Sequence, residues 1–98
     1  MLINYINIIV VSIKNIKAVK MYPNQCKAAR ALLGWSQSDL AVASKVGKQT
    51  LADFERGART PYDRTLRDIR EALEEAGVEF IEENGGGVGV RFRVPGTK

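Results

Sequence analysis

The chain has 98 residues, 45% of them apolar and 27% charged, which suits one small globular domain and excludes two independent cores. A single cysteine excludes an internal disulfide framework, the absence of histidine excludes a histidine base or a Cys/His zinc site, and no apolar run reaches the ~18 residues of a membrane-spanning helix. The net charge of +4 is uneven, +3 over residues 1–20, +3 over 23–60 and −2 over 61–98, so a polyanion would meet the middle of the chain.

Residues 1–20 differ in composition from the rest and have no glycine, proline or acidic residue. The β-branched run at residues 8–11 favours a strand. A helix is the alternative, because apolar residues also recur at spacings of four and three: Leu2, Ile6, Ile9, Ile13 and Ile16. We favour the strand and expect no secretory signal, since the positive charges follow the apolar stretch. A further interpretation is that this segment is an upstream extension of a domain starting at Met21.

The first helix is predicted over Pro23–Leu33. Its apolar residues Cys26, Ala29 and Leu33 recur at the spacing of one helical face, and Gly34 is placed to end it. The lone Cys26 is expected to be a small core residue, with a redox sensor as the lesser alternative.

The second and third helices are predicted over Gln37–Ser44 and residues 48–56. Ser36 and Asp39 have the spacing of a capping box at the start of the second helix. Trp35 before this cap can pack on Leu40, and Val46 can pack in the same way on Leu51. Gly47 is the expected cap of the third helix and Gly57 its end, so a gap of only three residues separates the two helices.

A fourth helix is predicted to begin at a capping signature formed by Thr60, Pro61 and Asp63, with proline at the first helical position. It should continue as far as Gly77. Its apolar residues recur at helical spacing: Leu66, Ile69, Leu73 and Ala76.

A change of period after Gly77 predicts a β-hairpin, with strands over residues 78–82 and 88–94 around a glycine-rich turn. Because a two-stranded hairpin is marginal alone, it should pack on the fourth helix, pair with a second subunit or add the strand of residues 1–20. The domain organisation is therefore an N-terminal extension at 1–20, a helical domain at 21–77, and a hairpin and tail at 78–98 that we expect to mediate dimerisation.

Two short helices joined by a tight turn are the geometry that presents one helix to the DNA major groove. Residues 36–57, SQSDLAVASKVGKQTLADFERG, closely resemble the Xre or lambda-repressor-like helix-turn-helix family, and the resemblance extends over about residues 23–73. It is carried by Arg30, Gly34, Ser36, Gln37, Leu40, Ala41, Val46, Leu51 and 55–57. The resemblance implies a mainly α fold, a four-helix DNA-binding domain with a C-terminal β-hairpin, as in a small bacterial subgroup.

The chain departs from the family at two positions of the turn. Lys45 stands where the family usually has glycine, and Gly47 stands where it usually has Ser or Thr as the helix cap. Glycine at a cap costs only a few tenths of a kcal/mol, so the fold is not affected, but a hydroxyl that could reach a phosphate is missing.

Helical geometry divides the third helix into two faces. Leu51 and Phe54 share one side, which leaves Gln49, Asp53 and Arg56 on the opposite side, towards solvent or DNA. At the N-terminal end of this helix we expect base contacts from Lys48, Gln49 and Thr50. Asp53 is a further candidate. It would accept from a cytosine amino group or orient a neighbouring Lys or Arg, and otherwise it would only repel phosphate.

Phosphate contacts are expected from Ser36 and Gln37, since the N-terminus of a helix favours anions, and from Arg59 beyond the third helix. An ordinary cap and a free surface arginine are the plain alternatives for Ser36 and Arg59. The resemblance also implies that Arg30 and Glu55 form a semi-buried salt bridge between the first and third helices, with a structural role.

The function expected from these features is that of a sequence-specific double-stranded DNA-binding regulator, a cytoplasmic, nucleoid-associated repressor that binds a two-fold symmetric operator as a homodimer. The alternative is a protein-interaction module, an antitoxin or adaptor that uses the helix-turn-helix as scaffold. We expect no enzymatic activity, metal, cofactor, membrane association or small-molecule effector.

Overall fold

The computed structural model describes residues 19–97, which form four helices followed by a two-stranded hairpin. The helices are α1 Pro23–Leu33, α2 Gln37–Ser44, α3 Lys48–Glu55 and α4 Asp63–Glu75, and the strands are β1 Val78–Ile81 and β2 Gly89–Phe92. The mainly α fold with a C-terminal hairpin is thus confirmed. The strand predicted within residues 1–20 lies outside the described residues, except for Val19 and Lys20, which belong to no helix or strand.

The boundaries of α1 and α2 agree with the sequence prediction. Gly34 ends α1 in the left-handed conformation with a φ of 68°, which costs glycine little because it has no Cβ. At the start of α2, the Ser36 hydroxyl accepts from the Asp39 N–H and the Asp39 carboxylate accepts from the Ser36 N–H. The predicted capping box therefore forms.

The predicted start of α4 is wrong by two residues. The helix begins at Asp63, its N-cap is Tyr62 in extended conformation, and no side chain caps it. Pro61 consequently precedes the helix, although its fixed φ would also have suited the first helical position. The end of α3 differs by only one residue, since Arg56 is the C-cap.

The core lies where α1, α2, α3 and α4 meet under the hairpin. Its largest fully buried side chains are Cys26, Leu40, Leu51, Ile69, Leu73 and Val78. Burying each aliphatic side chain of this size stabilises a fold by about 1.5 to 3 kcal/mol, so the periodic apolar residues of the sequence account for the packing of the helices.

The hairpin packs on both α1 and α4. β1 pairs with β2 in antiparallel register, with Val78 opposite Phe92 and Phe80 opposite Val90. Val78 and Phe80 are buried and belong to the core. Of the three arrangements expected for the hairpin, packing on α4 is therefore present, and packing on α1 was not foreseen.

Candidate nucleic-acid interface

The turn between α2 and α3 consists of Lys45, Val46 and Gly47. Lys45 is in the left-handed conformation with a φ of 60°, and Val46 is buried in the core. The Ser44 hydroxyl donates to the Leu40 carbonyl at 2.7 Å and accepts from the Val46 N–H at 3.3 Å. These bonds hold the first part of the turn on the end of α2.

The turn keeps its geometry despite both sequence departures. Lys45 adopts the conformation for which glycine is better suited, because a Cβ is crowded at positive φ. Gly47 is the N-cap of α3 and provides no side-chain bond to it. The positive φ of Lys45 and the missing side-chain cap at Gly47 each reduce the stability of this turn. The packing of Val46 and Leu51 in the core offsets both effects.

The inner face of α3 is formed by Leu51, Phe54 and Glu55, all buried. Lys48 and Gln49 at its N-terminal end are exposed, and Thr50 is half-buried. The outward arrangement of Lys48 and Gln49 is that of side chains available to a duplex.

Asp53 lies between two other side chains on the outer side of α3. Its Oδ1 accepts from the amide nitrogen of Gln49 at 3.0 Å and from the guanidinium of Arg56 at 2.8 Å. The bonds from Arg56 and Gln49 lower the pKa of Asp53, so its carboxylate is charged at neutral pH. The three residues form a chain of hydrogen bonds, which we call the Asp53 network.

The N-terminus of α2 offers backbone donors. The Ser36 hydroxyl bonds the Asp39 N–H, and no partner among the described residues accepts from the N–H groups of Gln37 and Ser38. The Ser36 hydroxyl accepts this bond and keeps its own proton. An anion at this helix end would meet two N–H groups and one O–H group.

Arg30 and Glu55 join α1 to α3. The guanidinium donates from Nε to Oε2 and from Nη2 to Oε1 of Glu55, each at 2.7 Å. Its Nη1 also donates to the carbonyl of Trp35 at 2.9 Å. Glu55 is buried, and the side chain of Arg30 is 19% exposed. The pair that the resemblance implied is present with two-bond geometry.

Glu55 also accepts hydrogen bonds from two residues that sequence reasoning did not connect to it. The Gln37 amide donates to Oε1 at 3.0 Å, and the Cys26 thiol donates to Oε2 at 3.1 Å. Burial raises the pKa of Glu55, but the bonds from Arg30, Gln37 and Cys26 outweigh it, and the pKa is lowered overall. Glu55 therefore holds the start of α2, through Gln37, against α1 and α3.

Cys26 is a core residue. Its side chain is fully buried, and burial, together with the bond to Glu55 and the negative charge of that residue, raises the pKa of the thiol well above its usual range. A protonated and buried thiol is a poor nucleophile, which argues against the redox-sensor alternative.

Arg59 is exposed beyond α3, in a concavity that also includes Thr50, Thr60 and Thr65. A second concavity lies beside Gln37, between α1 and α3, and its lining residues include Lys27 and Arg56.

Sequence reasoning did not single out Lys27, since one exposed lysine on an amphipathic helix carries no signal. The sequence offered a neighbouring Lys or Arg as a partner of Asp53, and Arg56 is that partner. The i, i+4 spacing of Gln49 and Asp53 would also have predicted the bond from Gln49.

The described residues include no cluster of three potential metal ligands, and none of the described helices is long and apolar enough to cross a membrane. The sequence pattern of the helix-turn-helix family matches residues 27–80. No curated protein matches the chain.

Proposed function

The chain belongs to the Xre or lambda-repressor-like helix-turn-helix family of DNA-binding regulators, and we propose that it is a sequence-specific repressor. The family is not an enzyme family. The observation that carries the proposal is the exposed start of α3, where Lys48 and Gln49 lie outside the core. The N–H groups of Gln37 and Ser38 at the start of α2, which bond no described residue, support it. A short helix with polar residues at its N-terminal end is what the major groove admits.

In this proposal, α3 contacts the edges of the base pairs, and the N-terminus of α2 binds the phosphate backbone of the DNA. Lys48, Gln49 and Thr50 contact bases, because their donors and acceptors are the ones that distinguish base pairs in the major groove. Asp53 belongs to the same face, but its carboxylate bonds Gln49 and Arg56 in the protein alone.

Phosphate contacts are proposed for Ser36, Gln37 and Arg59. The bond from the Gln37 amide to Glu55 uses one of the two amide protons of Gln37. The second proton is available to a phosphate, in addition to the backbone N–H groups of α2. Arg59 supplies an exposed positive charge beyond the other end of α3. These contacts would set the position of α3 on the duplex and contribute affinity on any sequence.

A homodimer is part of the proposal, because one module of this size buries less surface than specific operators usually require. Two observations support contact through the hairpin. Val88, just before β2, and Val94, two residues beyond it, are 39% and 62% exposed. The N–H of Arg93 donates to the carbonyl of Gly77, so the backbone groups of Val90 and Phe92 point away from β1, where no described residue bonds them.

Repression follows from occupancy. A dimer bound to a two-fold related operator prevents other proteins from binding the same duplex and needs no further contact for this. Its place of action would be the cytoplasmic nucleoid.

Selection of bound duplexes from a random pool tests the proposal. We expect one two-fold related sequence, bound about a thousandfold or more tightly than random duplex and with a steep dependence on salt. Enrichment of no sequence would contradict specific binding.

A further inference from the structure

The Asp53 network places an acid on the side of α3 that would face DNA. The side chain of Asp53 is 17% exposed and that of Arg56 is 66% exposed, so the arginine lies further out than the carboxylate it bonds. An unpaired carboxylate there would repel phosphates, but here Arg56 offsets its charge. The remaining partner of the same oxygen is the amide of Gln49.

The bond between Gln49 and Asp53 fixes which way the amide of Gln49 points. A carboxylate is only an acceptor, so the amide must turn its nitrogen, and not its oxygen, towards Asp53. The reversed amide would bring Oε1 against the negative oxygen of Asp53. Gln49 then presents Oε1 as acceptor and the second proton of Nε2 as donor, with the positions of these two groups fixed relative to the helix.

We propose that Asp53 is a positioning residue for readout: it holds the amide of Gln49 in the orientation that recognises adenine. Adenine offers its N6 amino group as donor and N7 as acceptor in the major groove, and a glutamine amide of fixed orientation matches both. Arg56 keeps the carboxylate of Asp53 in place and charged. The inference rests on the proposed function, because it requires α3 to read bases.

The test is binding of four variants to a panel of operator duplexes that carry each base pair at every position. Gln49→Ala identifies the position that Gln49 reads. Asp53→Ala should relax the preference at that same position, by about fivefold or more, and the double variant should lose little beyond either single variant. Asp53→Asn keeps an acceptor oxygen for Gln49 but adds an amide donor that allows the reversed orientation, so it should relax the same preference, by less than Asp53→Ala. Asp63→Ala, which removes an exposed acidic side chain at the start of α4, is the matched control and should leave the base preference unchanged.

Three results would overturn the inference while leaving the proposed readout by α3 in place. A preference changed by Asp53→Ala at another base pair would mean that Asp53 contacts a base itself. Tighter binding of all duplexes, equal for Asp53→Ala and Asp53→Asn and with unchanged preference, would mean that Asp53 only repels phosphate. If Gln49→Ala relaxed one position and Asp53→Ala left it intact, Gln49 would need no positioning. If Gln49→Ala itself changed no preference, the proposed readout by α3 would fail, and this inference with it.

Discussion

The carboxylate of Glu55 accepts two hydrogen bonds from the guanidinium of Arg30, each at 2.7 Å, and so connects the third helix of the domain to the first. The same carboxylate accepts from the amide of Gln37 at the start of α2. One buried group therefore sets the relative positions of three helices, among them the two that form the helix-turn-helix. Loss of the carboxylate should affect stability and the placing of α2 together.

Glu55→Ala should lower the free energy of unfolding by about 3 kcal/mol. Removing one partner of a fully buried ion pair costs about 3 to 5 kcal/mol, and the lower end applies because Arg30 is partly exposed. The melting temperature should fall by about 10 °C or more. Glu75→Ala, which removes an exposed carboxylate from α4, is the control for thermal unfolding. Equal effects of the two substitutions would show that the pair has no structural role.

The lowered pKa of Glu55 makes the stability of the domain dependent on pH. A carboxyl whose pKa is lower in the folded state stabilises the fold above its unfolded value of about 4.3, and this stabilisation disappears as the pH falls through the folded value. Glu55→Gln cannot ionise. The difference in melting temperature between the two proteins should be largest near neutral pH and should shrink below about pH 4.

Asp53 also has a lowered pKa, but it is present in both proteins of that comparison and its contribution cancels. A difference in melting temperature that stayed constant down to pH 2 would show that the charge of Glu55 contributes nothing to stability.

Most of the fold could be predicted because its signals are local. The apolar spacing within α1 and the capping box of Ser36 and Asp39 lie within a few residues of one another. The start of α4 was missed because Thr60 and Pro61 suit a cap and a first turn, whereas the extended backbone of Tyr62 places the start two residues later. No local signal distinguishes these two starts.

Contacts between distant residues could not be predicted from local patterns. Gln25 accepts from the N–H of Tyr22 and donates to the carbonyl of Gly89, which is 64 residues away, and so it ties α1 to β2. The pairing of Arg30 with Glu55 was expected only from the family resemblance. The bond of Gln37 to Glu55 depends on how three helices meet, and spacing along the chain does not contain that information.

Lys45→Gly should stabilise the domain by about 0.5 to 1 kcal/mol. A residue with a Cβ pays roughly 1 to 2 kcal/mol in the left-handed conformation, and the greater freedom of glycine in the unfolded chain cancels about 0.5 to 1 kcal/mol of the gain. Lys45→Ala loses the same charge and keeps the Cβ, so it should not stabilise. Chemical denaturation of both variants without DNA would measure the difference. If both were equally stable, the backbone of Lys45 would not be strained.

Val88→Lys should weaken the proposed dimer. Val88 is partly exposed just before β2, beside the unpaired edge of the strand, and two lysines facing each other across a two-fold axis would repel. Because Val88 lies outside the core, the fold should remain. Sedimentation analysis over a range of concentrations should show dissociation at concentrations where the parent protein is dimeric.

The control for this prediction is Val42→Lys, which adds the same charge at the exposed face of α2, where the valine is 81% exposed. It should leave the dimer unchanged. Truncation after Gly77 is less informative, because it would also remove Val78 and Phe80 from the core. If neither lysine variant altered the mass of a dimeric protein in solution, the hairpin would not be its interface.

Gln49→Ala and Arg59→Ala should separate base readout from phosphate binding. A side chain bonded to a base edge contributes discrimination of about 1 to 3 kcal/mol at its own position, so Gln49→Ala should relax one base pair in each half-site and leave the salt dependence nearly unchanged. Arg59→Ala should weaken binding to every duplex and flatten the salt slope by about one unit. The relaxed base pairs should lie symmetrically in half-sites about 10 base pairs apart. Affinities for single-base operator variants at two salt concentrations measure all three effects. A uniform loss for Gln49→Ala would mean that Gln49 contacts only the DNA backbone. If Gln49→Ala changed no affinity, a helix-turn-helix that serves only as a scaffold for protein contacts would be favoured.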